Sequence, residues 1–393
     1  MTLQERFKNY FDKVEKENTE TPFYKTLRRD EALKEFSENE NAFGIVLSDS
    51  ISTKDVKTTA NSKMLENYVP AFDATVAKKL KDAGGVLLGK TITLEFGVGE
   101  AETTFGTNIA VDKGEDIIGL TIDSKGFMHL GAFEFGLKAF TPTFGLVSRY
   151  GLLVVASSID RIGILAKDFK EIQKATSIIV GKDEKDSLSI ESTDDFKDLE
   201  DLDLSKLTVA KLDKFGHFVE EAEFLESLNI NVEEKTVSNL EYSLPTYEIL
   251  SSGEFATNME KYDSIGFGHR TNSYSSLDEL YKNSRTEGFG RGVQEKIVFG
   301  NFVLSENQYE NYYVQAMKAR TLIRDSFYKV LEDTEFLIAP ISLYYTAGIN
   351  LSGLPSISIP YGNEGILITT RAFNDKRLLS FAKELIKEMD GEK

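Results

Sequence analysis

Apolar residues recur at helical spacing in the first forty positions: Leu3, Phe7, Tyr10, Phe11 and Val14 stand among charged neighbours. Such a stripe predicts an amphipathic helix laid on a neighbour. Residues 1–40 therefore read as an N-terminal helical segment, and 41–393 as a single domain. Within 42–99, Val76, Ala77, Leu80 and Ala83 form one helix face, with Asp73 as the expected N-cap and Gly84 as the left-handed terminator. The apolar run VLLGKT that follows reads as a strand. A second amphipathic helix is predicted over 166–180, and the acidic, serine-rich run at 183–206 reads as a solvated loop without a chemical role. Strand, helix and strand then alternate over 207–215, 220–228 and 230–237, the signature of an α/β protein. Residues 240–335 read as mainly helical, with 308–333 as the longest helix. FLIAPISLYY, LPSISIPYG and GILITTRAF supply closing strands, and DKRLLSFAKELIKEMD a last helix.

The stretch from Ile122 to Tyr150 is punctuated by Gly126, Gly131, Gly136 and Gly145 between aromatic and apolar residues. That spacing suits backbone packed closely against backbone, so the stretch is expected at the buried centre of the domain.

Composition narrows the function. With 393 residues, 41% of them hydrophobic, the chain can bury a substantial core. Its 64 acidic and 46 basic residues give a net charge of -18, the wrong sign for direct attraction to nucleic-acid phosphates. The absence of cysteine excludes disulfides, thiolate metal sites and cysteine nucleophiles, and the three histidines, His129, His217 and His269, are too scattered to suggest a metal cluster. The charged N-terminus lacks the apolar core of a signal peptide, and no apolar run reaches membrane-spanning length, so a cytoplasmic protein without membrane contact is expected.

Gly84, Gly89, Lys90 and Thr91 fit the phosphate-loop spacing, but that loop needs a strand before it and a helix starting at the Lys-Thr. Here a helix precedes and a strand contains the motif, so the match is read as a coincidence of the pattern.

The segments KAFTPTFGLVSRYGLLVVASSIDRIGIL (138–165), GKTITLEFGVG (89–99) and EFATNMEKYDSIGFGHR (254–270), with SRTEGFG, ENYY and KARTLI further on, resemble the amidase-signature hydrolases. The likeness runs from about Ala42 to the last helix and points to the branch of aminoacyl-tRNA amidotransferase A subunits. It implies an α/β fold with a central mixed β-sheet surrounded by helices, and chemistry by a serine nucleophile, a bridging serine and a deprotonated lysine. Laid on the family's Asp-Thr-Gly-Gly-Ser run, the chain reads Asp123, Ser124, Lys125, Gly126, Phe127, with phenylalanine at the nucleophile position and His129 where an arginine is expected. At the lysine position stands Ser48, followed by Asp49 and Ser50, and the Gly-Ser-rich stretch with the bridging serine has no counterpart between Asn108 and Gly119. The family's acidic residue for the substrate amino group is absent from APISLYYTAGINLSGLP. Arg320 and Phe267, the latter at a usual tyrosine position, are the remaining substrate-binding candidates, as ligand groups or as relics. The resemblance therefore implies a chain with no catalytic set, no metal and no cofactor, its pocket filled. Its expected role is scaffold or partner of the B and C subunits in tRNA-dependent amidation, with free ammonia as nitrogen donor and tRNA touched only indirectly. An amidase or glutaminase with a site rebuilt from Ser48, Ser50, Ser124 and Lys125, or a regulatory protein for an unrelated partner, are the alternatives.

Overall fold

The computed structural model describes residues 2–99, 105–212, 214, 215 and 218–391; His217 lies outside them. Their organising element is an eleven-stranded mixed sheet. In chain order its strands are β1 (Tyr24–Leu27), β2 (Phe43–Ser48), β3 (Gly85–Thr91), β4 (Ile117–Asp123), β5 (Lys138–Thr141), β6 (Arg161–Ala166), β7 (Thr208–Lys211), β8 (Asn231–Glu234), β9 (Phe336–Ala339), β10 (Ser356–Ile359) and β11 (Ile366–Thr369). They lie side by side in the order β1-β3-β2-β4-β6-β5-β10-β11-β9-β7-β8. β2 runs parallel to both β3 and β4, and β7 runs parallel to β8 and β9, whereas the central pairings through β6, β5, β10 and β11 are antiparallel. β5 is thus sixth of the eleven, and the glycine-punctuated stretch from Ile122 to Tyr150 sits at the middle of the sheet as its pattern predicts.

Both faces of the sheet are covered, which explains why β2 and β3 are unbroken runs of buried residues rather than alternating ones. Phe7, Tyr10, Phe11 and Val14 of α1 (Leu3–Glu20) are all buried, and the Phe7 ring stacks on Phe36 of α2 (Arg29–Glu38) at 3.9 Å. The same segment contributes β1, which pairs antiparallel with β3. On another face, Phe336 of β9 stacks on Phe381 of the closing helix Asp375–Asp390, whose span equals the predicted one.

Several local expectations are corrected. The helix after Asp73 is Thr75–Asp82, its N-cap is Ala74, and Asp73 instead accepts from the Lys54 backbone N–H and from Lys81 Nζ. Val76, Ala77 and Leu80 are buried, but Ala83 lies beyond the last turn and is exposed. Gly84 does take the left-handed conformation, with φ +93°. The long helix begins at Tyr313 rather than 308 and, at 18 residues, only equals α1. FLIAPISLYY divides: the strand ends before Pro340, and Leu343–Ser352 is a helix that ends at left-handed Gly353. Pro340 lacks the N–H a strand ladder needs, and the Ser342 carbonyl starts the helix by accepting from the Thr346 N–H.

Candidate functional site

Parallel pairing of β2 with β4, with Leu47 opposite Leu120, brings the carboxyl ends of both strands to one edge of the sheet. β2 ends at Ser48, and the chain continues through Asp49 and Ser50. Beyond β4 it turns through Ser124, Lys125 and Gly126 into the helix Phe127–Glu134. Gly126 is required at that turn: its φ is +97°, and a Cβ there would stand 2.1 Å from the Thr346 side chain. The two sequence-distant candidates, Ser48 and Phe127, consequently line one cavity of about 100 Å³, shared with Ser50, Thr93, Thr121, Ser124, Lys125 and Tyr247. Phe127 is half-buried and forms part of the wall, so its ring lines an open cavity and does not fill it, which corrects the sequence expectation.

The floor of the cavity is a polar network. Asp123 Oδ1 accepts from the Gly126 N–H at 2.9 Å, and Oδ2 accepts from Thr141 Oγ1 at 3.1 Å and Asn350 Nδ2 at 2.9 Å. Arg161, on β6 opposite Asp123 of β4, donates to the carbonyls of Pro142 and Leu354 and to Asn350 Oδ1. Burial pushes the Arg161 guanidinium down to about 10 against the pull of Asp123. The imidazole of His129 is fully buried between Ser358 Oγ (2.9 Å) and Thr141 Oγ1 (3.1 Å), and desolvation pushes it down to about 4. It is a neutral structural group at neutral pH.

Ser124 and Lys125 both line the cavity, yet each is committed to its own carboxylate. Ser124 Oγ donates to Asp160 Oδ1 at 2.5 Å, and Asp160 also takes the N–H groups of Val155 and Ala156. Burial raises Asp160 to about 6 despite these bonds. Lys125 Nζ meets Glu248 at 2.6 Å, Lys296 approaches the other oxygen of Glu248 at 3.3 Å, and both ammonium groups flank the Tyr247 ring. Among the described residues, neither Ser48 nor Ser50 has a lysine or histidine as hydrogen-bond partner; Ser48 Oγ only accepts, at 3.4 Å, from the Ser50 N–H.

The remaining candidates lie elsewhere. Arg320 donates to the carbonyls of Leu351 and Ser158 and to Ser158 Oγ, at 2.7 to 2.9 Å, along a separate cavity of about 380 Å³. It makes no ion pair within 4.0 Å among the described residues, and its guanidinium is held by backbone carbonyls and a hydroxyl instead. Phe267 is 68% exposed at the mouth of another hollow, of about 480 Å³, which meets the first cavity only at Leu153.

Sequence reasoning met Lys90 only within the phosphate-loop coincidence and missed its setting. It is fully buried in β3, donates to the Ile51 carbonyl and to Thr58 Oγ1, and desolvation pushes it down to about 7 against the nearby Asp49. Asp49 holds the loop after β2 by accepting from Thr59 Oγ1 and the N–H groups of Thr59 and Asn61. The available signal was a lysine inside a strand apolar on both faces, where any residue must be buried.

The amidase family model matches residues 7–108 and 134–347. The chain belongs to the amidase family. The stretch between the two matched segments contains Phe127 and the whole turn after β4. The A subunit of glutamyl-tRNA(Gln) amidotransferase from Thermoanaerobacter pseudethanolicus is 33% identical, over 96% of this chain and 90% of the relative. Its namesake from Staphylococcus haemolyticus is 32% identical, over 95% and 91%. The first alignment extends over 439 positions, more than the 393 residues of the chain, so segments of that relative have no counterpart here. Among solved structures, the A subunit of the Thermotoga maritima glutamyl-tRNA(Gln) amidotransferase superposes with a TM-score of 0.77 at 27% identity, covering 98% of this chain and 91% of that one. The peptide amidase of Stenotrophomonas maltophilia shares the fold, with a TM-score of 0.79 at 19% identity over 99% and 94% of the two chains. No helix among the described residues is long and apolar enough to cross a membrane.

Proposed function

We propose that this chain is a non-hydrolysing member of the amidase family that serves as scaffold and partner in tRNA-dependent amidation. One observation carries the reading. The cavity at the carboxyl ends of β2 and β4 presents Phe127 and Ser48 where the family resemblance calls for the nucleophile and the base. Acyl transfer needs a nucleophile, a base within reach and an orienting partner together. Here the lysine on the cavity wall is paired with Glu248, and the hydroxyl beside it is spent on Asp160. Around that cavity the fold is retained over nearly the full length of the amidotransferase relatives, which supports selection for surface and shape rather than hydrolysis. The partners are the B and C subunits of such an amidotransferase, tRNA contact falls to them, and free ammonia replaces glutamine as nitrogen donor. The net charge of -18 fits a chain that leaves phosphate contacts to others.

The test is reconstitution of the chain with B and C subunits, ATP and misacylated tRNA. A complex on gel filtration that amidates with ammonium chloride and not with glutamine is expected. Glutamine-supported amidation, or no complex, overturns the reading.

A further inference from the structure

We propose that the cavity bounded by Ser48 and Phe127 binds a small carboxylate, of roughly two to four carbons, an inference that rests on the non-hydrolysing reading above. Its starting point is an imbalance of donors. Ser48 and Ser50 are 2% and 3% exposed and line the cavity with Thr93 and Thr121, and none of these four hydroxyls donates to any described residue. Ser48 and Ser50 are over nine-tenths buried, so their unused protons turn to the cavity for an acceptor. Lys125 Nζ, with three N–H groups, meets a single acceptor in Glu248.

The carboxylates around the same space already have donors. Both oxygens of Asp123 and both of Asp160 accept from named donors. The four hydroxyls can accept as well as donate, so the choice of guest falls to Lys125 on the wall, whose N–H groups left over from Glu248 favour one that brings negative charge. Leu94, Phe96 and Phe127 offer an apolar side for a short alkyl tail. Size sets the upper limit: a space of about 100 Å³ lies well below the roughly 300 Å³ at which sites for larger ligands begin.

The experiment is calorimetric titration of the full chain at pH 7 with sodium acetate and sodium propionate, against acetamide and sodium chloride at matched ionic strength. Saturable heat with either carboxylate, absent with chloride and at least tenfold weaker with acetamide, is expected. Ser50→Ala and the isosteric Thr121→Val should each weaken carboxylate binding about tenfold while thermal unfolding stays cooperative. No saturable heat, equal binding of acetamide, or unchanged affinity in both folded variants overturns the inference. Ammonia release from glutamine is followed on the same samples. Release would sink the non-hydrolysing reading itself, whereas absence of both release and carboxylate binding sinks only the present inference.

Discussion

Asn350 Nδ2 donates to Asp123 Oδ2 at 2.9 Å, joining two residues 227 positions apart. The same amide accepts from Arg161 through its oxygen, so one neutral side chain sits between a buried carboxylate and a buried guanidinium. This holds the turn that carries Ser124, Lys125 and Phe127. Asn350→Ala leaves both charges short of a partner in a dry interior and should destabilise by about 2 to 4 kcal/mol. Urea unfolding measures it; a loss below about 1 kcal/mol would mean the network does not hold the site.

Phe127→Ala should cost less than truncation of a fully buried ring. The ring is half-buried on the wall of an existing cavity, so about 1 to 2 kcal/mol is expected rather than the roughly 3 to 5 of a closed core. Phe127→Ser should add no turnover, because no base stands ready for the new hydroxyl. Thermal unfolding and an amide hydrolysis assay on the same two variants check both statements.

Lys90 gives the protein a pH signature. The unfolded chain keeps this proton up to about pH 10.5, whereas the folded protein releases it near 7 because burial outweighs Asp49 and Asp73, and Lys81 works in the same direction as burial. Between those values the unfolded state binds more protons, so this group makes stability rise with pH; below about 7 both states are charged and its cost is at its largest. Lys90→Met should flatten the stability profile between about pH 7.5 and 10 by up to about 1.4 kcal/mol per pH unit relative to the parent. Parallel profiles for the two proteins would place the proton elsewhere.

Arg320 ties Ser158 to the Leu351 carbonyl through a planar fork of donors. Lysine cannot reproduce that fork, so Arg320→Lys and Arg320→Ala should destabilise similarly, by about 1 to 3 kcal/mol. If denaturant unfolding finds Arg320→Lys equal to the parent, the charge and not the fork is what matters.

What the sequence could foretell divides along the range of the interactions. The closing helix Asp375–Asp390 and the buried face of α1 follow from spacing over a few residues and were legible to the residue or nearly so. Asp73 was misread because its carboxylate is taken by the Lys54 N–H and by Lys81 instead of the helix start, and the ISLYY segment because the break at Pro340, itself a local signal, was passed over. The meeting of Ser48 with Phe127 came from family resemblance; periodicity alone cannot reveal that β2 and β4 pair in parallel. Nothing local marks Asn350, Arg161 or Glu248 as parts of the same site, since each has a partner more than a hundred residues away in the chain.

Loss of hydrolysis with retention of the amidase fold is the proposal on which the rest depends. Its most direct test is ammonia release from glutamine and from a simple aliphatic amide by the purified chain, alone and with B and C subunits, beside Ser48→Ala and Ser124→Ala variants. Release at the buffer rate is expected in every case. Release above that rate by the parent, abolished by Ser124→Ala or Ser48→Ala, would contradict it.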